Sequence, residues 1–341
     1  MTTRKRRAER VPPSASWTIT TPATAPGAVA IVQLTGDIDA ALRDWGWPAL
    51  PIGGIALRDL FGIDRGLVVR WTTETLQLMP HGGPRILRKL AQALLEAGIP
   101  ESPHPDPRAL YPEATTEIEA RMLAALARAA SPLAIDLLLA QPRRWAQPGA
   151  ASDPARDRIL NRLIDPPLIA ALGGANIGKS TLANALAGRA VSVVADEPGT
   201  TRDHVGITLD LAGLVVRYID TPGVRETDDP IEREAQAASL AAAAGADLIL
   251  LCGDHTAPPP ELPPVLRSIP VLRLALRADL ARPVFAHDAA LGGLHAGSRG
   301  IDALADLIRE RLVPGEVLAA PDPWTFWQAQ PPSVLLRIAD R

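Results

Sequence analysis

Residues 173–181 read Gly-Gly-Ala-Asn-Ile-Gly-Lys-Ser-Thr, which has the form G-x-x-x-x-G-K-S. Small residues let backbone N–H groups turn onto phosphate oxygens, while a lysine reaches the outer phosphates and a hydroxyl can bind Mg²⁺. The apolar run 168–172 predicts a short buried strand before the loop, and residues 180–187 predict a helix after it. A chance Gly-rich turn is the alternative. Because strand, loop and helix agree, the sequence predicts a phosphate-binding loop.

This loop supplies the first predicted nucleotide-binding residues, which are Gly173, Asn176, Ile177, Gly178, Lys179, Ser180 and Thr181. Lys179 is also the first predicted catalytic residue, and Ser180 is a predicted Mg²⁺ ligand. Lysine occurs only at positions 5, 89 and 179. Arginine's planar fork is a poor substitute for a compact ammonium, which explains a lysine in the loop of so lysine-poor a chain.

Composition narrows the class of protein. The chain has 341 residues, 47% hydrophobic content and a formal charge of −3, which indicates a globular protein of two or three domains without a broad basic field. The single Cys252 excludes internal disulfides and a Cys-cluster metal site, and its apolar neighbours predict a core position rather than a reactive thiol. No apolar run is long enough for a bilayer, and no apolar segment follows the basic residues 4–7, so we expect a cytoplasmic protein without membrane contact.

The second half of the chain alternates strands and helices. Strands are predicted at 168–172, 205–211, 214–219, 247–252, 270–275 and 283–286, with helices near 180–187, 231–244 and 301–312. Such alternation is typical of a mainly parallel sheet covered on both faces. The predicted fold class is therefore an α/β P-loop domain with a mainly parallel sheet, residues 166–313, preceded by a small α+β domain and a short helical segment.

The first half reads differently. Residues 1–15 predict a disordered basic tail, with an RNA contact as the alternative, and residues 16–100 predict the α+β domain. That domain is expected to contain a strand at 28–34, a hairpin joining 66–71 to 75–79, and a helix from Pro84 to near Gly98. Residues 101–165 predict a linker and a short helical region. Residues 314–341 predict a C-terminal tail.

Two further segments have the character of GTPase switch regions. Residues 199–203 read Gly-Thr-Thr-Arg-Asp, and the Thr201 hydroxyl can complete a Mg²⁺ shell. Residues 220–223 read Asp-Thr-Pro-Gly, where the Asp220 carboxylate can hold a Mg²⁺-bound water and the Gly223 N–H can reach a γ-phosphate. Each tetrapeptide is weak alone, but their order after the loop favours switch regions. The predicted nucleotide-binding residues here are Thr200, Thr201, Asp220, Thr221, Pro222 and Gly223.

The base-reading element is predicted at residues 276–279, Leu-Arg-Ala-Asp, where such GTPases usually have N-K-x-D. The Asp279 carboxylate can accept hydrogen bonds from the N1–H and 2-amino group of guanine, and Arg277 can stack on the base. Leu276 cannot replace the asparagine, so we expect GTP and GDP to bind with weakened affinity. An unrelated aspartate in a loop is the alternative. The loop 295–300 is a weaker candidate for contacting the guanine oxygen.

Residues 193–203 and 220–232 together resemble the MnmE (TrmE) family of tRNA-modification GTPases. Residues 17–36 and 77–98, with His-Gly-Gly at 81–83, are similar to that family's N-terminal folate-binding domain. The resemblance covers residues 17–98 and 168–312.

The resemblance implies K⁺ activation and pairing of GTPase domains in a homodimer, with Mg²⁺ as a second cofactor. Asn176 and Thr200 match positions that hold K⁺ beside the phosphates. Glu232 matches the catalytic residue that orients the attacking water, although on residues alone it is one acid in a solvated acidic run. The family also implies tRNA and a flavoprotein as partners.

Departures from the family argue against folate as a cofactor. A family Arg is replaced by Gln33, a family Glu by Gln77, and the family's N-G-K segment has no counterpart in residues 100–165. The helical domain is shortened, and the C-x-G-K tail of the family is absent from this sequence.

Three functions follow from the residues and the resemblance. The first is a divergent K⁺-assisted GTPase that hydrolyses GTP, with an N-terminal domain used for dimerisation. The second is an authentic tRNA wobble-uridine modification GTPase that works with a flavoprotein. The third, favoured by Leu276, is a GTP-binding switch or scaffold that hardly hydrolyses GTP.

Overall fold

The computed structural model describes residues 15–21, 28–102, 106–189, 206–221, 240–294 and 298–328. The described chain divides into unit 1, which runs to Ala127, and unit 2, Arg128–Ala329. The boundaries predicted at residues 100, 165 and 313 stay predictions. Within these described ranges, no helix combines the length and the apolar character needed to cross a bilayer.

Unit 1 is built on a five-stranded antiparallel sheet. The strands are β1 (Ala15–Ile19), β2 (Val32–Gly36), β3 (Ile55–Leu60), β4 (Asp64–Arg70) and β5 (Thr75–Met79). Their order in the sheet is β1-β2-β5-β4-β3. The helices are α1 (Ile38–Asp44), α2 (Pro84–Glu96), α3 (Pro107–Leu110) and α4 (Glu117–Leu126).

One face of this sheet is packed and the other is partly open. Neighbouring residues of a strand point to opposite faces, so Val68 is fully buried while Leu67 beside it is 43% exposed. Leu57 pairs with Leu67 in the β3–β4 register and is 54% exposed, and Ile55 on the same face is 65% exposed. The packed face belongs to a core that includes Leu34, Leu76, Leu78, Leu90 and Leu94. We call Ile55, Leu57 and Leu67 the open sheet face.

The predictions for unit 1 have mixed outcomes. The hairpin and the helix from Pro84 are confirmed, and the helix ends before Gly98, whose φ of +81° suits glycine. The strand predicted at 28–34 is displaced to β2. Strands β1 and β3 were not predicted, and Ala15, placed in the disordered tail, belongs to β1. Residues 1–14 lie outside the described ranges.

Unit 2 contains a six-stranded sheet. Its strands are β6 (Leu168–Gly173), β7 (Ile207–Leu211), β8 (Leu214–Asp220), β9 (Leu248–Gly253), β10 (Val271–Ala275) and β11 (Ala289–Ala290). Their order is β11-β10-β9-β6-β8-β7, and all pairings are parallel except that of β7 with β8. Helix α8 (Lys179–Arg189) follows β6, and helix α9 (Arg299–Leu312) follows β11.

Five of the six strands predicted for this sheet are confirmed, as is its mainly parallel character. The sixth prediction, a strand at 283–286, is wrong. Pro283 cannot donate a ladder hydrogen bond and Val284 is 83% exposed, so this segment is irregular and the short strand lies at Ala289–Ala290. Most of the helix predicted at 231–244 lies outside the described residues. The described part of that segment begins at residue 240, and residues 240–243 are helical.

Short helices precede and follow the sheet of unit 2. They are α5 (Ala134–Leu139), α6 (Gln141–Trp145) and α7 (Pro154–Leu160) before β6, and α10 (Gly315–Ala319) after α9. The guanidinium of Arg156 is buried and donates hydrogen bonds to the carbonyls of Val317, Ala320, Asp322 and Pro323. The buried Trp324 donates from its indole N–H to the Asn161 side chain at 3.0 Å. Residues 317–324, predicted to lie in the tail, are thereby fixed to α7 and the turn after it.

Candidate nucleotide-binding site

The predicted phosphate-binding loop joins β6 to α8. A Cβ atom at Gly173 would lie 2.6 Å from the Cys252 carbonyl oxygen, so only glycine fits beside β9. The loop turns through positive φ at Asn176 (60°) and Gly178 (105°), and α8 begins at Lys179. A helix N-terminus after a glycine-bearing turn provides unpaired N–H groups and partial positive charge, which suit a phosphate.

Lys179 is buried and its ammonium lies over the start of the loop. Its Nζ donates to the carbonyl oxygen of Gly174 at 2.7 Å and to that of Gly173 at 3.2 Å. These neutral carbonyl oxygens hold the ammonium beside the loop backbone, where an incoming phosphate would add a charged acceptor.

Ser180 and Asp220 are brought together from different elements. Ser180 is the second residue of α8, and Asp220 is the last residue of β8, where it pairs with Ala171 of β6. The Ser180 Oγ donates to the Asp220 Oδ2 across 2.8 Å. This hydroxyl and this carboxylate meet at the carboxyl end of the parallel strands. They are oxygen ligands of the kind that Mg²⁺ binds directly or through water.

Thr221 follows Asp220 and faces the sheet. Its hydroxyl donates to the Ala171 carbonyl oxygen at 2.7 Å and the residue is buried. Ile177 is also buried and packs against Gly173 and Gly174, whereas Thr181 is exposed. The side chains of Thr221 and Ile177 therefore support the loop from within the domain.

The base-reading loop, residues 276–279, follows β10. Leu276 is fully buried, and a Cβ atom at Gly178 would contact its side chain at 3.8 Å. Arg277 has a positive φ of 54°, and its guanidinium hydrogen-bonds to the carbonyl oxygen of Asn176 and to the Asp254 carboxylate at 3.2 Å. The loop therefore meets the phosphate-binding loop through one apolar and one cationic side chain.

Asp279 is exposed at the end of this loop, next to Gly292. A Cβ atom at Gly292 would lie 2.6 Å from the Asp279 backbone nitrogen, so a side chain there would displace the loop. The Ala278 N–H donates to the Leu291 carbonyl at 2.9 Å. Residues 291–292 thus back the base-reading loop, and the contact of the loop 295–300 with the guanine oxygen stays a prediction. The adjacent glycines 292 and 293 indicate a turn in the sequence but do not identify the loop it packs against, and residues 295–297 lie outside the described ranges.

Cys252 occupies the core position predicted for it. It lies at the end of β9 opposite Gly173, it is fully buried, and burial raises the pKa of its thiol to about 12. The Lys179 charge opposes this rise in pKa, and Asp220 adds to it. The thiol therefore stays protonated beside the phosphate-binding loop.

Several predicted site residues lie outside the described residues, and their roles stay predictions. They are Thr200, Thr201, Pro222, Gly223 and Glu232.

The strand positions assigned to folate contacts hold a different network. Gln77 Nε2 donates to Gln33 Oε1 at 2.9 Å, and Gln33 Nε2 donates to the Ala109 carbonyl oxygen at 2.6 Å. Gln33 is fully buried. Two neutral amides bonded to each other and to α3 thus occupy these positions, and the prediction about folate stays a prediction.

Comparison with known proteins agrees with this geometry. Residues 168–273 match the family model described as MMR_HSR1, 50S ribosome-binding GTPase. The chain contains a P-loop GTPase domain. This GTPase domain is related to those of the MnmE proteins, and an antiparallel sheet domain precedes it.

Among the relatives of this GTPase-containing chain, the tRNA modification GTPase MnmE of Acidiphilium cryptum is 41% identical over 168 residues, 49% of this chain and 34% of that protein. MnmE of Thermus thermophilus is 39% identical over 153 residues, 44% of this chain and 35% of that protein. MnmE of Bradyrhizobium sp. is 35% identical over 201 residues, 59% of this chain and 37% of that protein. The chain thus spans about a third of the length of the curated relatives it matches.

Two solved structures match part of the chain at lower sequence identity. The FeoB G-domain from Methanococcus jannaschii is 23% identical with a TM-score of 0.31, covering 43% of this chain and 98% of that one. Era from Aquifex aeolicus is 24% identical with a TM-score of 0.27, covering 42% of this chain and 47% of that one.

Proposed function

We propose that this protein binds GTP with Mg²⁺ and hydrolyses it to GDP and phosphate with the assistance of K⁺. The observation that carries the proposal is the contact between Ser180 and Asp220 beside Lys179. A cation-binding pair and an ammonium at the same loop are what a Mg²⁺-nucleotide site requires. The relatedness of the domain to MnmE proteins favours GTP over ATP.

The residues proposed to bind the nucleotide fall into groups that contact the phosphates, the guanine base and Mg²⁺. The phosphate-binding loop and Lys179 would hold the β- and γ-phosphates, and Lys179 would neutralise charge that develops on them. Arg277 and Asp279 would contact guanine. Mg²⁺ would supply charge neutralisation between the outer phosphates, and Ser180, Thr201 and Asp220 are its proposed ligands or water-holders.

K⁺ assistance rests on the family resemblance and on one structural feature. Asn176 is exposed at the turn of the loop, where its φ is 60°. We propose that the Asn176 amide oxygen and Thr200 hold K⁺, which would add positive charge beside the phosphates where other GTPases use an arginine. We also propose that Glu232 orients the attacking water.

The test is GTP hydrolysis in KCl compared with NaCl, with ATP as the competing substrate and Lys179→Ala as the inactive variant. We expect hydrolysis of GTP alone, faster in K⁺, and lost in Lys179→Ala. Equal rates in the two salts would remove the K⁺ proposal while leaving the GTPase. Hydrolysis of ATP at the same rate as GTP would contradict the assignment of residues 276–279 to guanine.

A homodimer formed through unit 1 is part of the proposal. The open sheet face presents Ile55, Leu57 and Leu67 on adjacent paired strands, and β3 is one of the two edge strands of the sheet. Apolar side chains in such a row are rarely left in contact with water. We propose that a second copy of the chain covers this face.

A role in tRNA modification is the second candidate, favoured by the relatives, which are named tRNA modification GTPases. It would take place in the cytoplasm, with a flavoprotein partner. A strain without the gene would then carry tRNA lacking the modified wobble uridine. Normal modification in that strain would exclude this candidate.

The third candidate is a GTP-binding switch or scaffold that hardly hydrolyses GTP. The observation behind it is the buried Leu276, an apolar side chain where the usual motif has an amide. Tight binding of GTP with hydrolysis no faster than in Lys179→Ala would favour this candidate over the GTPase.

A further inference from the structure

The base-reading loop lacks the asparagine that usually begins it, yet it is joined to the phosphate-binding loop by another route. The Arg277 guanidinium donates to the Asn176 carbonyl oxygen on one side and to the Asp254 carboxylate on the other. The three residues come from three segments, the loop after β6, the turn after β9 and the loop after β10. One arginine therefore connects all three ends of adjacent parallel strands.

Asp254 is built into the turn that follows β9. Its Oδ1 accepts hydrogen bonds from the Thr256 N–H at 2.8 Å, the Thr256 hydroxyl at 2.6 Å and the Ala257 N–H at 3.2 Å. Its Oδ2 is left to Arg277, and the Asp254 side chain is only 1% exposed. A carboxylate fixed by three donors on one oxygen presents the other oxygen in a single direction.

The charge state of Asp254 suits this arrangement. Burial alone would raise its pKa, but the hydrogen bonds from Thr256 and Ala257 more than offset burial and leave the pKa below its ordinary value. Asp254 is thus ionised at neutral pH. The Arg277 side chain is 42% exposed, whereas the Asp254 carboxylate is buried and fixed. The carboxylate of Asp254 therefore orients the guanidinium of Arg277.

We infer that Asp254 is a positioning residue of the nucleotide site, which holds Arg277 on the carbonyl of Asn176 and so fixes the base-reading loop against the phosphate-binding loop. The inference rests on the proposed function, because the nucleotide is what these two loops would share. Leu276 fills the apolar space against Gly178, and the ionic link replaces the polar contact that an asparagine would supply. Asp279 is two residues beyond the anchored Arg277, so its carboxylate is held where guanine would meet it.

The test uses the full chain with Asp254→Asn, Arg277→Ala, Arg277→Lys and the double variant. In Asp254→Asn, the amide oxygen can still accept from Thr256 and Ala257, but the NH₂ group faces Arg277 and the ionic link is lost. Glu310→Gln is the matched control, because it removes a carboxylate from an exposed ion pair with Arg309. The measurements are the dissociation constants of GDP and ADP, and the thermal midpoint of each variant.

We expect Asp254→Asn to weaken GDP binding by about tenfold, the size expected when one charge-assisted hydrogen bond is lost, and to reduce the preference for GDP over ADP. Arg277→Ala should weaken GDP binding at least as much, because it also removes the proposed contact with guanine, and the double variant should bind GDP little more weakly than Arg277→Ala. Arg277→Lys should retain more affinity than Arg277→Ala. Glu310→Gln should bind GDP as the wild type does.

Failure of the inference and failure of the proposed function give different results. If the wild type binds GDP but Asp254→Asn only lowers the thermal midpoint and leaves the GDP/ADP preference unchanged, the inference is overturned and the proposed function stands. If the wild type binds no guanine nucleotide, the proposed function fails. In that case faster amide exchange of residues 174–178 in Asp254→Asn would still support the link, and unchanged exchange would overturn it.

Discussion

The hydroxyl of Ser180 donates a hydrogen bond to the carboxylate of Asp220, with 2.8 Å between the two oxygens. Helix α8 and strand β8 thus bring two side-chain oxygens, the proposed Mg²⁺ ligands, together at the carboxyl end of the strands. We predict that Ser180→Ala lowers the Mg²⁺-dependent gain in GTP affinity by about tenfold, because one ligand is lost. GTP titrations with Mg²⁺ and with EDTA measure this gain. Ser16→Ala, on the sheet of unit 1, is the control, and an unchanged gain in Ser180→Ala would contradict the assignment.

The open sheet face leads to a prediction about association. We expect Leu57→Glu to raise the dimer dissociation constant at least about 100-fold, because each copy would bury an unpaired carboxylate. Sedimentation velocity over a range of protein concentrations would measure it. Leu95→Glu is the matched control, since Leu95 is also half-exposed but lies on α2. A wild type that stays monomeric would remove this interface from the proposal.

Arg156 gives a prediction about stability. Replacing it with Met would remove the guanidinium donor from the Val317 and Pro323 carbonyls, while the carbonyls of Ala320 and Asp322 would keep Arg144 as a donor. We expect a loss of about 2 kcal/mol or more in the free energy of unfolding. Arg158→Met is the control two residues away, where the side chain is exposed and bonds to Pro154 of its own helix. Urea denaturation would compare them. Equal stability of the two variants would mean that the contacts to residues 317–323 contribute little.

Cys252 gives a prediction about reactivity. With a pKa of about 12 in the folded chain, only about one thiol in ten thousand is ionised at pH 8, against about one in ten for a thiol of ordinary pKa 9. Because burial raises the pKa, the thiolate fraction grows only as the pH rises well above 8. We expect iodoacetamide at pH 8 to leave the folded protein unmodified and to alkylate it rapidly in urea. Rapid alkylation of the folded chain would contradict the core position.

The fold was most predictable where one physical signal dominated. The motif at residues 173–181 determines the order of strand, turn and helix, and β6 and α8 follow it. The β4–β5 hairpin was predictable because its apolar alternation is flanked by polar turn residues. Strand β3 was not, since Ile55 and Leu57 are apolar on its open face and Ala56 is small on its packed face. The sequence of this strand therefore lacks the alternation of apolar and polar residues that predicts a half-buried strand.

The candidate site was predictable in its residues but not in its connections. Lys179, Ser180 and Asp220 belong to motifs, and their proximity follows from parallel strands ending at one edge. The link from Arg277 to Asp254 joins positions 23 residues apart, and no spacing rule indicates it. Gly292 was missed for a related reason, because the close approach of Asp279 to its Cα depends on how two loops pack. Pairings of this kind are set by tertiary structure alone.

The Arg156 contacts have a consequence for the order of folding. The acceptors of its guanidinium lie 161 to 167 residues later in the chain, beyond every strand of the unit 2 sheet. Contacts so distant in sequence form only after a long loop has closed, which makes them late events. A nascent chain can therefore form the sheet and the phosphate-binding loop before the Arg156 side chain of α7 binds the carbonyls of residues 317–323. The contacts that attach α7 to residues 317–323 would then be among the last to form.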